Sequence, residues 1–242
     1  MKKVLILGAN SYIGNSFREY VKENYPGEFT VTRVSLRGDA WKEADWSEYD
    51  SILNVTGKAH ADIGSLTEEE KQEYYTINCD LACETAKKAA EDGAGQYIYL
   101  SSIIVYGDSS NGGGAVHITK DTKPAPSNFY GDSKWQAEQK LQALFERLKA
   151  DERKNNTALT IVRPPMIYGK NSKGNFKMLV KLADKVPVFP NVKNERSMLY
   201  VENLAEFLCL LVESQKSGVF LPQNASYVTT AQMVAAIAAA KG

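Results

Sequence analysis

Two side chains near the middle of the chain are spaced for proton transfer. Tyr130 and Lys134 stand four positions apart in the segment FYGDSKWQAE, so on a helix they lie on one face, a turn apart. A phenol, whose pKa is about 10, is a poor acid–base catalyst at neutral pH, but a neighbouring ammonium group favours its charged form and lowers that pKa. The spacing favours a proton-transfer pair, with an ordinary amphipathic helix that carries a surface lysine as the alternative.

A pair of serines follows an apolar run ahead of this helix. The segment YIYLSSIIVYG has the composition of a buried strand that ends at Ser101 and Ser102. In open α/β sheets, ligands bind beyond the carboxyl ends of the strands. Ser102 is therefore a candidate to hydrogen-bond a reacting oxygen.

The start of the chain, VLILGANSYIG, has the form of a strand, a tight turn and a helix. Gly8 allows the turn, and Gly14 allows the helix to pack closely on the strand. Ser11 stands where a dinucleotide loop usually has the glycine that lets the backbone approach the phosphates. Either its hydroxyl donates a hydrogen bond there or a cofactor lies slightly further out; a buried strand that merely turns into a helix is the alternative.

Short β-rich runs alternate with longer helical patterns, which is typical of a parallel sheet with helices on both faces. We therefore predict an α/β fold with a Rossmann-type, doubly wound parallel sheet. Thr67 and Glu70 form a capping box at the start of one helix. The predicted strands are 4–7, 30–36, 51–55, 96–101 and 159–163, and the predicted helices are 15–23, 67–91 and 129–149.

The pattern loosens after Pro164 and Pro165. We predict helices near 175–185 and 201–213, a strand at 219–221 and an alanine-rich helix from about 229, with loops at 112–114 and around Pro187. The expected division is an NAD(P)-binding Rossmann domain over 1–165 and a smaller substrate-binding lobe over 166–242. Part of the lobe, about 198–221, is expected to pack back on the Rossmann sheet.

The composition favours a small-molecule partner. Lys plus Arg and Asp plus Glu both number 29, so no net field would attract a nucleic acid or an anionic membrane. No segment has the roughly 20 apolar residues of a membrane helix, and we expect a cytoplasmic protein by default.

Cysteine and histidine give no sign of a metal site or a disulfide framework. Cys79, Cys83 and Cys209 fit neither a disulfide nor a zinc pattern, so we expect free thiols in or near the core. His60 and His117 lack partners at metal spacing, and we predict no metal.

Five segments together carry a family resemblance. GANSYIG, LSSIIVYG, YGDSK, IVRPPMIYG and RSMLYVENLAEFL occur in the order found in the extended short-chain dehydrogenase/reductase family, the NAD-dependent nucleotide-sugar epimerases and dehydratases. The resemblance covers essentially the whole chain. It implies that Ser102, Tyr130 and Lys134 are catalytic: Tyr130 exchanges a proton with a sugar hydroxyl, Lys134 lowers the pKa of Tyr130 and binds the nicotinamide ribose, and Ser102 holds the reacting oxygen.

The same resemblance implies a nicotinamide cofactor. No acid stands at the end of the second strand, and Arg37 could meet the 2′-phosphate of NADP, so the sequence leans to NADP over NAD. The alternatives are a solvated loop residue for Arg37, a turn or helix cap for Asp45 and a helix-surface amide for Asn78. The implied cofactor residues are Gly8, Asn10, Ser11, Tyr12, Ile13, Gly14, Arg37, Asp45, Asn78, Tyr130 and Lys134.

The resemblance also implies a nucleotide-sugar substrate, with a UDP-sugar favoured. Asn175 and Phe176 resemble the pair that touches the nucleotide, and Arg196 the arginine on the diphosphate, a group that suits an arginine fork. A polar helix start for Asn175 and a surface ion pair of Arg196 with Glu195 or Glu202 are the alternatives.

Family members that eliminate water carry an Asp–Glu pair directly after the position of Ser102. Ile103 and Ile104 stand there instead, and neither can move a proton. We therefore expect an epimerase or a 4-keto-sugar reductase. A non-catalytic NAD(P)-binding regulatory protein and a reductase of a non-sugar carbonyl remain alternatives.

The resemblance bears on assembly and length as well. It implies a homodimer through the helices at 67–91 and 129–149. Relatives usually continue beyond AAIAAAKG, where this chain ends, so we expect either a minimal substrate lobe or a shortened chain.

Overall fold

The computed structural model describes residues 1–59, 66–107, 117–150, 156–172, 175–183, 189–190 and 194–240. The predicted loop at 112–114, Pro187 and His60 lie outside these ranges. The strands are β1 (Lys2–Leu7), β2 (Phe29–Val34), β3 (Ser51–Asn54), β4 (Gln96–Leu100), β5 (Ala158–Val162), β6 (Met166–Tyr168), β7 (Glu195–Arg196), β8 (Met198–Tyr200), β9 (Gly218–Phe220) and β10 (Val228–Thr229).

Helices separate most of these strands. The α-helices are α1 (Tyr12–Asn24), α2 (Ala40–Glu43), α3 (Glu68–Tyr75), α4 (Leu81–Asp92), α5 (Phe129–Ala150), α6 (Asn175–Ala183), α7 (Val201–Ser214) and α8 (Thr230–Ala239). A π-helical turn (Thr76–Asp80) joins α3 to α4, and a 3₁₀ turn (Ile103–Tyr106) follows β4. The capping box of Thr67 and Glu70 at the start of α3 is confirmed.

The central sheet has six strands in the order β2-β1-β3-β4-β5-β9, and all of them run parallel. The chain passes from β1 to β2 on one side and then to β3 on the other side of β1. This order confirms the predicted Rossmann-type, doubly wound sheet, with its topological switch between β1 and β3.

Each face of the sheet packs against its own set of helices, because alternate strand residues point to opposite faces. Leu5, Leu7 and Tyr97 pack in one core with residues of α4 and α5. Val4 and Ile6 pack in the other, with residues of α1 and α7. The two apolar faces bury the strands from both sides.

Part of the C-terminal region joins this sheet. β9 pairs with β5, and Leu199, Leu204 and Val212 belong to the core formed by Val4 and Ile6. β6 pairs with β8, β7 pairs with β10, and α6 contacts α8 beside them. The division of the chain at residue 165 stays a prediction.

The three cysteines are free thiols, with Cys79 and Cys209 buried and Cys83 partly buried. Within the described ranges, no group of three or more His, Cys, Asp or Glu side chains is placed to hold a metal ion. Nor does any helix of the described residues have the length and apolarity to cross a membrane.

Candidate active site

The carboxyl ends of β1 and β3 meet at the topological switch. Gly8 follows β1 with a φ of +106°, a conformation that glycine adopts readily. A Cβ on Gly8 would lie 3.1 Å from Oγ1 of Thr56, which follows β3. That hydroxyl is buried and has no hydrogen-bond partner among the described residues. Ligands of open α/β sheets bind in this crevice. Here the crevice contains a glycine turn and that Thr56 hydroxyl, which could hydrogen-bond a ligand.

The turn after Gly8 leads directly into α1. Ser11 is the N-cap, and its Oγ accepts a hydrogen bond from the N–H of Gly14 at 3.4 Å. Its hydroxyl hydrogen can still donate to a ligand. A Cβ on Gly14 would lie 2.9 Å from Cγ2 of Ile6, so the expected close packing of helix on strand is confirmed. The free amides at the start of α1 favour an anionic group.

The other predicted cofactor residues of this turn, Asn10, Tyr12 and Ile13, differ in their surroundings. Asn10 is exposed, whereas the side chain of Ile13 packs on the core around α1. Part of the Ile13 side chain remains exposed. The Tyr12 hydroxyl lies against Gly169, at 3.2 Å from the position of a Cβ there, and is buried without a hydrogen-bond partner in the described part of the chain.

Ser102, Tyr130 and Lys134 converge beyond the end of β4. Ser102 caps the 3₁₀ turn and accepts a hydrogen bond from the N–H of Ile104 at 3.3 Å, and its hydroxyl is close enough to Tyr130 to lower the pKa of that phenol. Tyr130 is near the start of α5. Lys134, one turn later, is only 4% exposed; its Nζ donates to the Leu100 carbonyl at 3.0 Å. The structure thus brings together the three side chains that the sequence predicts to be catalytic.

Burial is the largest influence on the pKa values of Tyr130 and Lys134. Burial raises the pKa of Tyr130 to about 12, and the hydroxyl of Ser102 opposes that rise only in part. Burial lowers the pKa of Lys134 to about 8, with the charge of Glu138 acting in the opposite direction. The Lys134 ammonium bonds to the Leu100 carbonyl and lies 4.7 Å from the centre of the Tyr99 ring, and the expectation that Lys134 lowers the pKa of Tyr130 stays a prediction.

Asn78 is completely buried in the π-helical turn, which excludes the helix-surface alternative. Its Oδ1 accepts from the N–H of Lys58 at 2.8 Å, and its Nδ2 donates to Ser133 Oγ at 3.0 Å. A Cβ on Gly57 would lie 3.3 Å from Asn78 Oδ1 and 3.2 Å from Lys134 Nζ. Asn78 therefore ties the loop after β3 to α5, and Gly57 leaves the space that both side chains fill. π-Helical turns are frequent at functional sites.

A second arginine lies nearer to the glycine turn than the predicted one. Arg37 is exposed, and its backbone N–H donates to Ser35 Oγ at 3.2 Å. Arg33 donates from Nη1 to the Ala9 carbonyl at 3.0 Å and to Asn15 Oδ1 at 2.8 Å. The parallel register sets Arg33 opposite Ile6 of β1. Arg33 was not predicted from the sequence, because its position beside the glycine turn depends on that pairing.

Asp45 forms a local turn. Its Oδ1 accepts from the N–H of Ser47 at 2.8 Å, and this bond lowers the pKa of the carboxyl. The side chain is exposed. These contacts match the predicted turn alternative, and a contact with adenine stays a prediction.

The predicted substrate residues lie in the C-terminal region. The side chain of Asn175 lies outside the described part of the structure, although its backbone begins α6. The ring centres of Phe176 and Tyr168 are 5.6 Å apart. Arg196 is exposed in β7, and among the described residues it forms no ion pair with Glu195 or Glu202. That alternative for Arg196 is wrong.

A buried ion pair behind the site was also missed. Glu138 is fully buried one helical turn after Lys134, and Arg163 follows β5. Arg163 Nε donates to both oxygens of Glu138, at 3.0 and 3.1 Å. The four-residue spacing of Tyr130, Lys134 and Glu138 could have placed Glu138 on the same helix face as the other two. Its partner Arg163 lies 25 residues further along the chain, and no local pattern indicates that contact.

Known proteins resemble the whole chain. The profile of the family described as the RmlD substrate binding domain matches residues 1–242. The UDP-glucose 4-epimerase of Vibrio cholerae is 31% identical over 259 residues, covering 99% of this chain and 76% of that protein. An N-acetyl-alpha-D-glucosaminyl-diphospho-ditrans,octacis-undecaprenol 4-epimerase of Escherichia coli O157:H7 is 29% identical over 232 residues, covering 89% of this chain and 64% of that one. The crystal structure of dTDP-4-dehydrorhamnose reductase from Bacillus anthracis in complex with NADP has a TM-score of 0.73 and 23% identity, covering 100% of this chain and 81% of that chain.

Proposed function

Because this chain belongs to the RmlD substrate binding domain family, within the extended short-chain dehydrogenase/reductases, we propose that it is a nicotinamide-dependent epimerase or 4-keto reductase of a nucleotide sugar. The observation that carries the proposal is the convergence of Ser102, Tyr130 and Lys134 beyond the end of β4. Ser102 is a hydrogen-bonding hydroxyl, Tyr130 a proton carrier and Lys134 a buried cation. Reduction of a carbonyl or oxidation of an alcohol requires such groups.

The crevice fits a dinucleotide. The buried Thr56 hydroxyl beside Gly8 lacks a partner among the described residues, and a polar ligand would satisfy it. We assign the pyrophosphate to the amides at the start of α1 and to the Ser11 hydroxyl, and the nicotinamide ribose to Lys134. The bound nicotinamide supplies or accepts the hydride.

Tyr130 is the proton carrier in this proposal. With a pKa raised to about 12, the phenol is protonated at neutral pH and ready to donate to a carbonyl oxygen. Ser102 holds that oxygen through its hydroxyl. In the reverse direction, Tyr130 must first lose its proton, and the positive charge of Lys134 is the nearby group that would stabilise the phenolate.

We propose NADP as the cofactor. No acid stands at the end of β2, and both Arg33 and Arg37 lie near that end, where the 2′-phosphate of NADP meets this fold. Arg33 is the stronger candidate, because its guanidinium is already bonded to the glycine turn. The NADP complex of the Bacillus anthracis reductase supports a nicotinamide cofactor in this fold.

We propose a UDP-sugar as the substrate. The name of the Vibrio cholerae relative supports this choice, and Asn175, Phe176 and Arg196 remain its proposed contacts. The undecaprenol-linked substrate in the name of the Escherichia coli relative makes a second diphosphate-linked sugar worth testing. Ile103 and Ile104 in the 3₁₀ turn offer no further acid or base, which disfavours a dehydratase.

The test begins with binding. Purified protein is titrated with NAD, NADP and their reduced forms, and a panel of UDP-sugars is then assayed by the stereochemistry of the product. Tyr130→Phe is expected to lower turnover by about 10²- to 10⁴-fold, while Tyr227→Phe, at an exposed tyrosine, leaves it unchanged.

Three outcomes would count against the proposal. Wild-type turnover by Tyr130→Phe removes the assigned proton carrier. Dinucleotide binding without turnover of any sugar favours a non-catalytic regulatory protein. Turnover of only a non-sugar carbonyl favours a reductase that does not act on sugars.

We also propose a homodimer in which α3, α4 and α5 pair with their copies. The support is the family resemblance alone. Sedimentation equilibrium tests it, and a monomer at all concentrations would refute it.

A further inference from the structure

The buried pair of Glu138 and Arg163 is built into the floor of the candidate active site. Tyr130, Lys134 and Glu138 follow one another at single-turn intervals along α5. Glu138 is completely buried and Arg163 is 6% exposed. Arg163 donates from Nε and Nη2 to the carboxylate and from Nη1 to the Tyr106 hydroxyl. A planar guanidinium that binds both carboxylate oxygens fixes the carboxylate in position as well as in charge.

The pair is connected to Ser102 through its neighbours in the chain. Ser101 Oγ donates to Glu138 Oε1, and the N–H of Ser101 donates to the Val162 carbonyl at 2.7 Å. On the other side of Ser102, the N–H of Ile103 donates to the Pro164 carbonyl at 3.1 Å. Both residues that flank Ser102 are therefore held by the end of β5, from which Arg163 extends, and one of them by Glu138 itself.

The pair is connected to Lys134 through charge. Lys134 lies one helical turn from Tyr130 and one from Glu138 on α5 and over the Tyr99 ring on β4, and Arg163 binds Glu138. The neighbouring loop and π-helical turn contribute the uncharged Gly57 and Asn78. Glu138 is therefore the acidic group among the described residues that opposes the loss of the proton from buried Lys134.

A structural role alone would not require this pair. Well-packed apolar residues of similar volume often stabilise such a position as well as, or better than, a buried ion pair. They would supply neither a negative charge one turn from Lys134 nor an acceptor for Ser101.

We propose that Glu138, held by Arg163, is a positioning residue that keeps Lys134 protonated and fixes the backbone on which Ser102 stands. This inference rests on the proposed function for its catalytic meaning. Its electrostatic part concerns the protein alone and can be measured without a substrate.

The first experiment measures the pKa of Lys134 directly. Protein labelled with ¹³C at lysine Cε is titrated by NMR without cofactor, and the Lys134 resonance is assigned by its loss in Lys134→Met. Glu138→Gln is expected to lower this pKa by about one unit, because an opposite charge one turn away is lost. Glu138→Asp retains the charge and is expected to shift it by less than about half of that amount. Glu146→Gln, at an exposed position on the same helix, serves as the matched control without a shift.

Glu138→Gln leaves Arg163 buried without its counter-charge, which can prevent folding. The double variant Glu138→Leu/Arg163→Met removes both charges with similar volume, and it is expected to lower the pKa of Lys134 by less than Glu138→Gln does, because the opposing positive charge of Arg163 is lost as well. If the folded double variant keeps the Lys134 pKa of the wild type, the pair has only a structural role and the proposal is wrong.

The second experiment uses the pH profile of turnover. If the pKa of Lys134 falls from about 8 by about one unit, turnover in Glu138→Gln drops about five-fold at pH 8 and changes little at pH 6. An unchanged profile contradicts the proposal. If the wild type turns over no nucleotide sugar, the proposed function fails, while the NMR titration still decides whether Glu138 sets the charge of Lys134.

Discussion

Replacing Lys134 with methionine is expected to make the protein more stable and inactive. Lys134 is 4% exposed, and burial holds its pKa at about 8, against its usual 10.5. The folded protein therefore binds the lysine proton more weakly than the unfolded chain does. Methionine has a similar length, carries no charge and adapts to irregular core space.

The size of the gain follows from the pKa values. A depression from 10.5 to about 8 is about 2.5 units, and at 1.36 kcal/mol for each unit it destabilises the folded state at neutral pH by about 3 kcal/mol. The side chain is almost fully buried, so this value needs little correction for screening by solvent. Loss of the hydrogen bond to the Leu100 carbonyl removes about 1 kcal/mol. The expected net gain at pH 7 is about 2 kcal/mol in the free energy of unfolding.

The pH dependence gives the prediction its sign. Between pH 8 and 10.5 the unfolded chain keeps a proton on Lys134 that the folded protein has lost, so the free energy of unfolding of the wild type rises with pH in this window. By pH 10 the destabilisation has fallen to about 1 kcal/mol, which the Leu100 hydrogen bond balances. The advantage of Lys134→Met should therefore shrink from about 2 kcal/mol at pH 7 to about zero at pH 10.

Urea unfolding of the cofactor-free wild type and of Lys134→Met at pH 7 and pH 10 measures this difference. Lys149→Met, at an exposed position on the same helix, controls for titration of other groups. A variant that is less stable than the wild type at pH 7, or an advantage that does not shrink by pH 10, would refute the reasoning. Either result would mean that burial does not depress the pKa of Lys134 in the folded protein.

Three further substitutions test the geometry around the site. Gly131→Ala places a Cβ 2.8 Å from the Ile104 carbonyl oxygen, so the start of α5 must move away from the 3₁₀ turn by about 0.5 Å to reach an ordinary contact. We expect turnover to fall about ten-fold, and unchanged turnover would contradict the close packing of α5 on this turn. Arg33→Ala should weaken NADP binding about ten-fold or more, with little effect on NAD binding, as measured by calorimetry. A larger loss of NADP binding in Arg37→Ala would assign the 2′-phosphate contact to Arg37 instead. Asn78→Ala should lower the free energy of unfolding by about 2 to 4 kcal/mol, because it removes three hydrogen bonds made by a fully buried amide. A loss below about 1 kcal/mol in chemical denaturation would show that water replaces them.

Much of the fold could be predicted from local pattern. The alternation of strands and helices, the capping box at Thr67 and the close approach at Gly14 each depend on a few adjacent residues. The helix α1 begins at Tyr12 rather than at residue 15, because Ser11 already caps it. The short strands β6, β7, β8 and β10 were not predicted, since strands of two or three residues are set by their pairing partners rather than by their own pattern.

The convergence of the candidate residues was predictable from the sequence, and their ionisation was not. The family motifs identify Ser102, Tyr130 and Lys134, and one helix face brings the last two together. Their pKa values depend on burial and on the partners that each side chain finds, and the partner of Lys134 is the Leu100 carbonyl rather than the phenol. The contacts of Arg33 and Arg163 likewise join residues 18 and more positions apart, so only the sheet register and the packing of α5 on β5 create them.

The ionisation of the site follows from one physical cause. Burial opposes charge on every group in it, so Tyr130 stays protonated and Lys134 holds its proton weakly. A neutral phenol is prepared to donate a proton to a carbonyl oxygen, whereas removing a proton from an alcohol requires the phenolate, which burial disfavours. In the proposed mechanism, the charge of Lys134 stabilises the phenolate, and Glu138 keeps that charge on Lys134. In the proposed mechanism, loss of the negative charge of Glu138 would therefore slow both directions, because the phenolate is the product of proton donation and the reactant of proton removal.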